Sequence, residues 1–140
     1  MRFFILDTPD VNAFALPGGY VYVTRGLMAL AQNEAQLAGV IAHEIGHVLA
    51  RHSAERYSHA TLSSLGAGAL AAASDARFVE DLAGLGGELY IKSYSRSQEH
   101  QADSLGIRYM ARAGYDPGEM AKFLEVLQRH AALQARLSGQ

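Results

Sequence analysis

The chain contains no cysteine, which excludes disulfides, thiolate metal sites and thiol catalysis. It has no long basic block, and its net charge is only −2 with the histidines neutral. Charge therefore points neither to nucleic acid nor to an anionic membrane as a partner. Long apolar runs are missing too. The longest weakly polar stretch, "LGAGALAAA" at Leu65–Ala73, falls well short of the roughly 20 residues that a membrane-spanning helix needs. The opening "MRFFILDTPD" lacks the basic and apolar regions of a signal peptide and reads as a strand already inside a fold. The closing "ARLSGQ" breaks off after a helix. The chain is thus expected to be an excised core, with targeting segments lost and further domains flanking it.

What is present suits an ordinary globular protein. The 140 residues are 49% apolar and 19% charged, enough for one domain (residues 1–140) with one core. Three β signals come first: Phe3–Leu6, ended by the turn cluster "DTPD"; Asn12–Leu16, "NAFAL"; and Tyr20–Thr24, "YVYVT". Pro17–Gly19 between the last two is turn chemistry, so those two runs read as a hairpin. After Gly26 the texture becomes helical. Asn33 with Gln36 resembles a capping box, opening a helix from Glu34 through at least His52. Leu37, Ile41, Ile45 and Val48 recur on it at helical spacing, widened by Val40. Beyond Ser53 the small-residue stretch "GAGALAAASDA" and a helix over Phe78–Leu85, with Leu89 and Tyr90, interrupted at "GLGG", are expected. Ser95 and Gln98 open a helix from about Arg96 to Ala113, stopped by Gly114. Asp116 caps the last helix, Pro117 fits its first position and Glu119 completes the box. Its stripe is Phe123, Val126, Leu127, His130 and Leu133. The class is α+β, mainly helical with a small N-terminal antiparallel sheet.

The chemistry concentrates in "HEIGH", His43–His47. Residues four apart share a helix face, so His43 and His47 can direct both imidazoles at one ion, and zinc takes imidazole nitrogen well. Glu44 is turned about 100° away by the helical pitch, within reach of a water at the metal rather than of the metal itself. Gly46 keeps one position small, beside metal or a neighbouring backbone. The bland alternative is two surface histidines with Glu44 in a salt bridge. Against it, Val40, Ile41, Val48 and Leu49 flank the motif, and burying such groups is costly unless they are paired or metal-bound.

A catalytic zinc site needs a third protein ligand and an open position. In H-E-x-x-H-x-x-G-x-x-H, the glycine and third histidine would fall at Ala50 and Ser53, and His52 misses by one residue. H-x-x-E-H fails because Arg96 stands where its first histidine would be. A separate helix offers "SRSQEHQADSLG". There Glu99 can bind the metal, and Asp103, one turn on, can accept the N–H of a ligand histidine and fix its tautomer. A solvated face is the usual fate of two such acids, but Ala102, Leu105, Met110 and Ala113 suggest a packed helix.

Three stretches, "VNAFALPGGYVYVTRGLMAL", "NEAQLAGVIAHEIGHVLARHS" and "YSRSQEHQADSLGIRYMARAGYDP", together resemble the catalytic core of an M48-type zinc metallopeptidase. This is the gluzincin family of the CAAX prenyl protease and the HtpX-like and BepA-like peptidases. They cover well over half the chain, in the family's order. The resemblance implies a zincin-like fold and one zinc ion held by His43, His47 and Glu99. It implies Glu44 as general base and Asp103 as partner of a ligand histidine, His43. It implies an extended peptide held against a sheet edge near Asn12, Ala13 and Phe14, by strand addition. The transition-state donor is left open among Tyr94, Arg96 and His100; His130 lies in an apolar stripe and reads as a core histidine.

The function so implied is a zinc metalloendopeptidase acting on protein or peptide substrates in protein quality control. The compartment implied is periplasmic or membrane-associated in bacteria. The alternative is a zinc-binding, chaperone-like module whose latent site is capped by a loop, with the glycine-rich Gly84–Gly87 as the candidate cap.

Overall fold

The computed structural model describes residues 1–55, 58 and 94–139. The expectations for "GAGALAAASDA", for Phe78–Tyr90 and for a Gly84–Gly87 cap lie outside the described residues. The described elements are β1 (Arg2–Leu6), β2 (Ala13–Leu16), β3 (Tyr20–Thr24), α1 (Arg25–Leu30), α2 (Glu34–Leu49), α3 (Arg96–Arg112) and α4 (Gly118–Leu137).

β2 and β3 form the expected antiparallel hairpin, with Phe14 opposite Tyr22. Gly18 and Gly19 at its tip both take positive φ, +93° and +84°, which a tight hairpin turn requires and L side chains resist. The sheet is not wholly antiparallel, however. β1 pairs with β3 in parallel, in the order β1-β3-β2. The "DTPD" loop sets this arrangement by docking on the start of α1. The Gly26 N–H donates to Thr8 O at 3.1 Å, and a Cβ at Gly26 would lie 2.1 Å from Pro9 O. The loop can run there only because Gly26 has no side chain, and it holds β1 on the outer side of β3.

Strand alternation sorts the side chains. On one face Phe4, Tyr22 and Phe14 stack across the three strands, with ring centroids 5.2 and 5.0 Å apart. On the other, Ala13, Val23 and Leu27 are buried with Phe123 of α4. Thr24 then caps α1, its hydroxyl accepting from the Leu27 N–H.

Asn33 caps α2 as expected, its Oδ1 accepting from the Gln36 N–H, but the Gln36 Oε1 accepts from the Gln32 N–H, so the box is not reciprocal. The face that α2 buries most deeply is not its apolar stripe. Gln36, Gly39, Ala42, His43, Glu44, Gly46 and His47 are buried, whereas Leu37, Ile41, Ile45 and Val48 are half-buried. Small and polar residues take the inner face because two other helices press against it closely. Gly39 meets Met120 of α4, Gly46 meets the backbone of Ala102 on α3, and Gly106 of α3 meets the backbone of Ala42 and His43.

Two helix boundaries differ from expectation. α2 ends at Leu49 rather than running through His52, because Arg51 adopts φ +59°; helical backbone resumes over 52–55. α4 begins at Gly118 with Pro117 as its N-cap, one residue later than expected; Asp116 Oδ1 accepts from the Gly118 N–H, but Glu119 does not close a box with it. The Glu119 carboxylate instead accepts from Asn33 Nδ2 and Gln36 Nε2 at the start of α2 and from Lys122. A long-range partner has displaced the local one. α3 carries the full Ser95/Gln98 capping box, and Gly114 ends it at φ +87°, with the Tyr115 N–H donating to Met110 O. Among the described residues no helix is long and apolar enough to cross a membrane.

Candidate metal centre

α2 and α3 cross where Gly46 faces Ala102 and Gly106 faces His43. That close approach brings the carboxylates of α3 onto the imidazoles of α2. His43 Nε2 and His47 Nε2 lie 3.0 Å apart, a convergence that the four-residue spacing allows. Glu99 reaches both, with Oε2 at 3.2 Å from His43 Nε2 and Oε1 at 3.5 Å from His47 Nε2. These donor atoms all lie within 4.8 Å of one another, a group that could hold a metal ion. Glu44, between the two histidines in sequence, is fully buried.

The other faces of the rings are equally determined. Asp103 Oδ1 accepts from His43 Nδ1–H at 2.8 Å. A carboxylate can only accept, so Nδ1 carries a proton and Nε2 is the atom turned to Glu99 and His47. His47 Nδ1 lies 2.9 Å from His52 Nδ1, and His52 Nε2 lies 2.8 Å from Gln101 Oε1. Tyr94 stacks on the His47 ring at 4.0 Å and 15°. The Ser53 hydroxyl spends its one proton on Ala15 O, so the Tyr94 O–H, 3.0 Å away, donates to Ser53 Oγ. The edge strand β2 is thereby linked through Ser53 and Tyr94 to a ring of the site.

This cluster demands positive charge. Burial works to lower the pKa of His43, but the hydrogen bond to Glu99 and the charges of Glu44, Glu99 and Asp103 outweigh it, and the net shift is upward. Burial lowers His47, aided by His43 and His52 and opposed by Glu99. Burial would raise Glu99, yet hydrogen bonds to His43 and His47 hold its carboxyl at about 2. Without a metal, one proton on His43 meets the demand. A divalent cation meets it better, through two imidazole nitrogens and a carboxylate, a donor set that suits zinc and leaves a further position open. The residues present therefore fit the ion that the motif implies.

The structure brings together His43, Glu44, His47, Glu99 and Asp103. Arg96 and His100 are exposed on α3 near Glu99, and Tyr94 has its hydroxyl on Ser53. His130 stands on α4 beside Gln134, half-buried rather than in the core. The Asn12 backbone is held by Thr24, and Ala13 and Phe14 begin the edge strand. Helical register alone places His52 off the site, yet it is buried against His47. Arg51 is the reason: one left-handed residue after α2 restores to His52 the position that continuous helix would deny it. No local signal announces this, since positive φ is uncommon at arginine.

A model of peptidase family M48 matches residues 2–138. The chain is 37% identical to the beta-barrel assembly-enhancing protease of Escherichia coli (strain K12), over 96% of this chain and 30% of that protein. It is 40% identical to the putative beta-barrel assembly-enhancing protease of Vibrio cholerae, over 86% of this chain and 27% of that protein. It is 37% identical to the mitochondrial metalloendopeptidase OMA1 of Saccharomyces cerevisiae, over 84% of this chain and 34% of that protein. The chain spans about a third of the length of these curated relatives. The family's pattern runs from the first strand into the end of α4 and takes in both helices that carry the His-His-Glu group, and so this chain belongs to peptidase family M48.

Proposed function

We propose that the chain is the catalytic domain of a zinc-dependent metalloendopeptidase, holding one zinc ion through His43, His47 and Glu99 and hydrolysing peptide bonds in protein substrates. The convergence of the two Nε2 atoms on the Glu99 carboxylate, beside the buried Glu44, carries this reading. A bound zinc ion supplies a Lewis acid for the scissile carbonyl and lowers the pKa of a water to about 7. Glu44 accepts the proton of the attacking water and returns it to the leaving amine. Asp103 holds the His43 ring and its tautomer. Asn12 O accepts from the Thr24 N–H of the β3 side. By strand alternation Ala13 and Ala15 then turn their backbone groups to the outer edge, the edge on which Ala15 O meets Ser53. An extended substrate adds there, against the stretch Asn12, Ala13 and Phe14. With the Tyr94 hydroxyl on Ser53, Arg96 and His100 remain the candidates for the transition-state donor.

The setting is proposed on likeness alone. The relatives' names speak of beta-barrel assembly and of mitochondria; a role in protein quality control, in a bacterial periplasmic or membrane-associated place, with flanking domains, is the corresponding reading here. The test is metal analysis joined to casein cleavage. One zinc per chain is expected, with cleavage lost on chelation and restored by zinc. Negligible zinc with no gain on its addition would refute the proposal.

Asp103→Ala is expected to weaken zinc binding by about 10–100-fold, the usual effect of freeing a ligand histidine from its anchor. Competition with a chromogenic chelator measures it. An unchanged affinity would remove Asp103 from the site.

A further inference from the structure

We propose that His52 and Gln101 are positioning residues for the metal centre, fixing His47 in the tautomer that turns a bare Nε2 toward the ion. This inference rests on the zinc reading above and deepens it.

The two ligand histidines are held by unlike means. His43 is anchored by a carboxylate, which can only accept, so its tautomer follows at once. His47 is anchored by another imidazole, which can donate or accept. The direction of that hydrogen bond is decided further out. Gln101 presents Oε1, an acceptor, at 2.8 Å from His52 Nε2. His52 therefore carries its proton on Nε2, and its Nδ1 is a lone pair. That lone pair stands 2.9 Å from His47 Nδ1, so His47 donates from Nδ1, and the neutral ring leaves its Nε2 bare for a cation. Turning the Gln101 amide over would reverse every donor in the chain. His47 would then hold a proton on Nε2, aimed at His43 Nε2 only 3.0 Å away, and a metal would have to displace it.

Burial makes the relay effective. His47 is 0% exposed and His52 2%, so bulk water does not stand in for a missing partner. Gln101 lies at the exposed face of α3, two residues from both Glu99 and Asp103. One helix thus supplies a ligand and the anchors of both histidines. The backbone is consistent with this role. Arg51 holds a left-handed conformation that costs a non-glycine residue energy, and that residue is what brings His52 under His47.

The experiment uses this chain loaded with zinc alone. His52→Leu keeps apolar bulk but removes the acceptor. It is expected to lower zinc affinity about 10–100-fold while the circular dichroism spectrum and the cooperative melt persist. His52→Gln, which can again offer an oxygen to His47 Nδ1–H, is expected to recover most of the affinity. A merely structural role would show no such rescue. Long-range proton–nitrogen correlation spectra of the histidine rings supply the second readout: His52 protonated on Nε2 and bare on Nδ1. A His52→Leu protein that binds zinc as tightly as the parent, or a His52 protonated on Nδ1, overturns the relay. Should His52→Leu fail to fold, Gln101→Leu on the exposed face of α3 replaces it. Weakened zinc binding is then expected, and unchanged affinity with unchanged His52 protonation overturns the proposal. A parent chain that takes up no zinc refutes the zinc reading and the relay with it; a parent that binds beside an indifferent His52→Leu refutes the relay alone.

Discussion

Glu44→Gln is expected to leave zinc bound and to lower kcat/KM on casein by about a hundredfold to ten-thousandfold, the range that a general base contributes. The amide matches the carboxylate in shape and fits the same fully buried position on α2, so the helix and its crossing with α3 are undisturbed. The ligand atoms are untouched, and His43 keeps Asp103 on its Nδ1. Glu44 is also one of the charges that favour a proton on His43. Removing that charge weakens the pull on a proton and on a cation alike, so the unchanged donor atoms of His43, His47 and Glu99 should keep the metal bound. What disappears is basicity: an amide cannot take the proton of an attacking water. Metal analysis beside kcat/KM separates the two effects. Full activity in the zinc-loaded variant would end the assignment of Glu44 as base, and loss of zinc would mean that the carboxylate takes part in ligation.

The parts of the site that were legible in the sequence are those governed by helical period. His43 with His47, and Glu99 with Asp103, are each four apart, and each helix starts at a capping residue that the sequence displays. Once the helices exist, those pairs must share faces. The illegible parts depend on how elements meet. His52 looked excluded because continuous helix places it off the face, and only the left-handed Arg51 returns it. Glu119 looked like a local cap until α4 packed beside α2 and offered it Asn33 and Gln36. The hairpin could be read from its turn, whereas the parallel addition of β1 follows from a loop docking on Gly26, far outside any strand pattern. The stripe of Leu37, Ile41, Ile45 and Val48 predicted a buried face, but the more closely packed face is the one bearing glycines. Hydrophobic periodicity measures apolarity and has no means of registering backbone-to-backbone contact.

That contact yields the second large effect. Gly46→Ala should destabilise the protein, although helix propensity alone predicts a gain of about 1 kcal/mol for the exchange. The added Cβ would lie 2.7 Å from Ala102 O and 3.0 Å from Ala102 Cα. These are backbone atoms with no rotamer to adopt, so α3 as a whole must move away. Overpacking of this kind costs about 1–3 kcal/mol, enough to cancel or reverse the propensity term, and the melting temperature is expected to fall by several degrees. The displacement also has a chemical consequence. Ala102 stands between Glu99 and Asp103, whose carboxylates lie 3.2 and 2.8 Å from the His43 ring nitrogens. Pushing Ala102 outward draws the proposed ligand Glu99 and its neighbour Asp103 away together, so zinc affinity should drop by about tenfold or more. Gly39→Ala is the comparison. Its Cβ would press on Met120 of α4 at 3.1 Å, away from the metal centre, so whatever its effect on the melt it should leave zinc affinity near that of the parent. Thermal melts with and without zinc, together with chelator competition, distinguish the two variants. A higher melting temperature for Gly46→Ala would show that the crossing can relax and that glycine at position 46 is not what sets the distance between ligands.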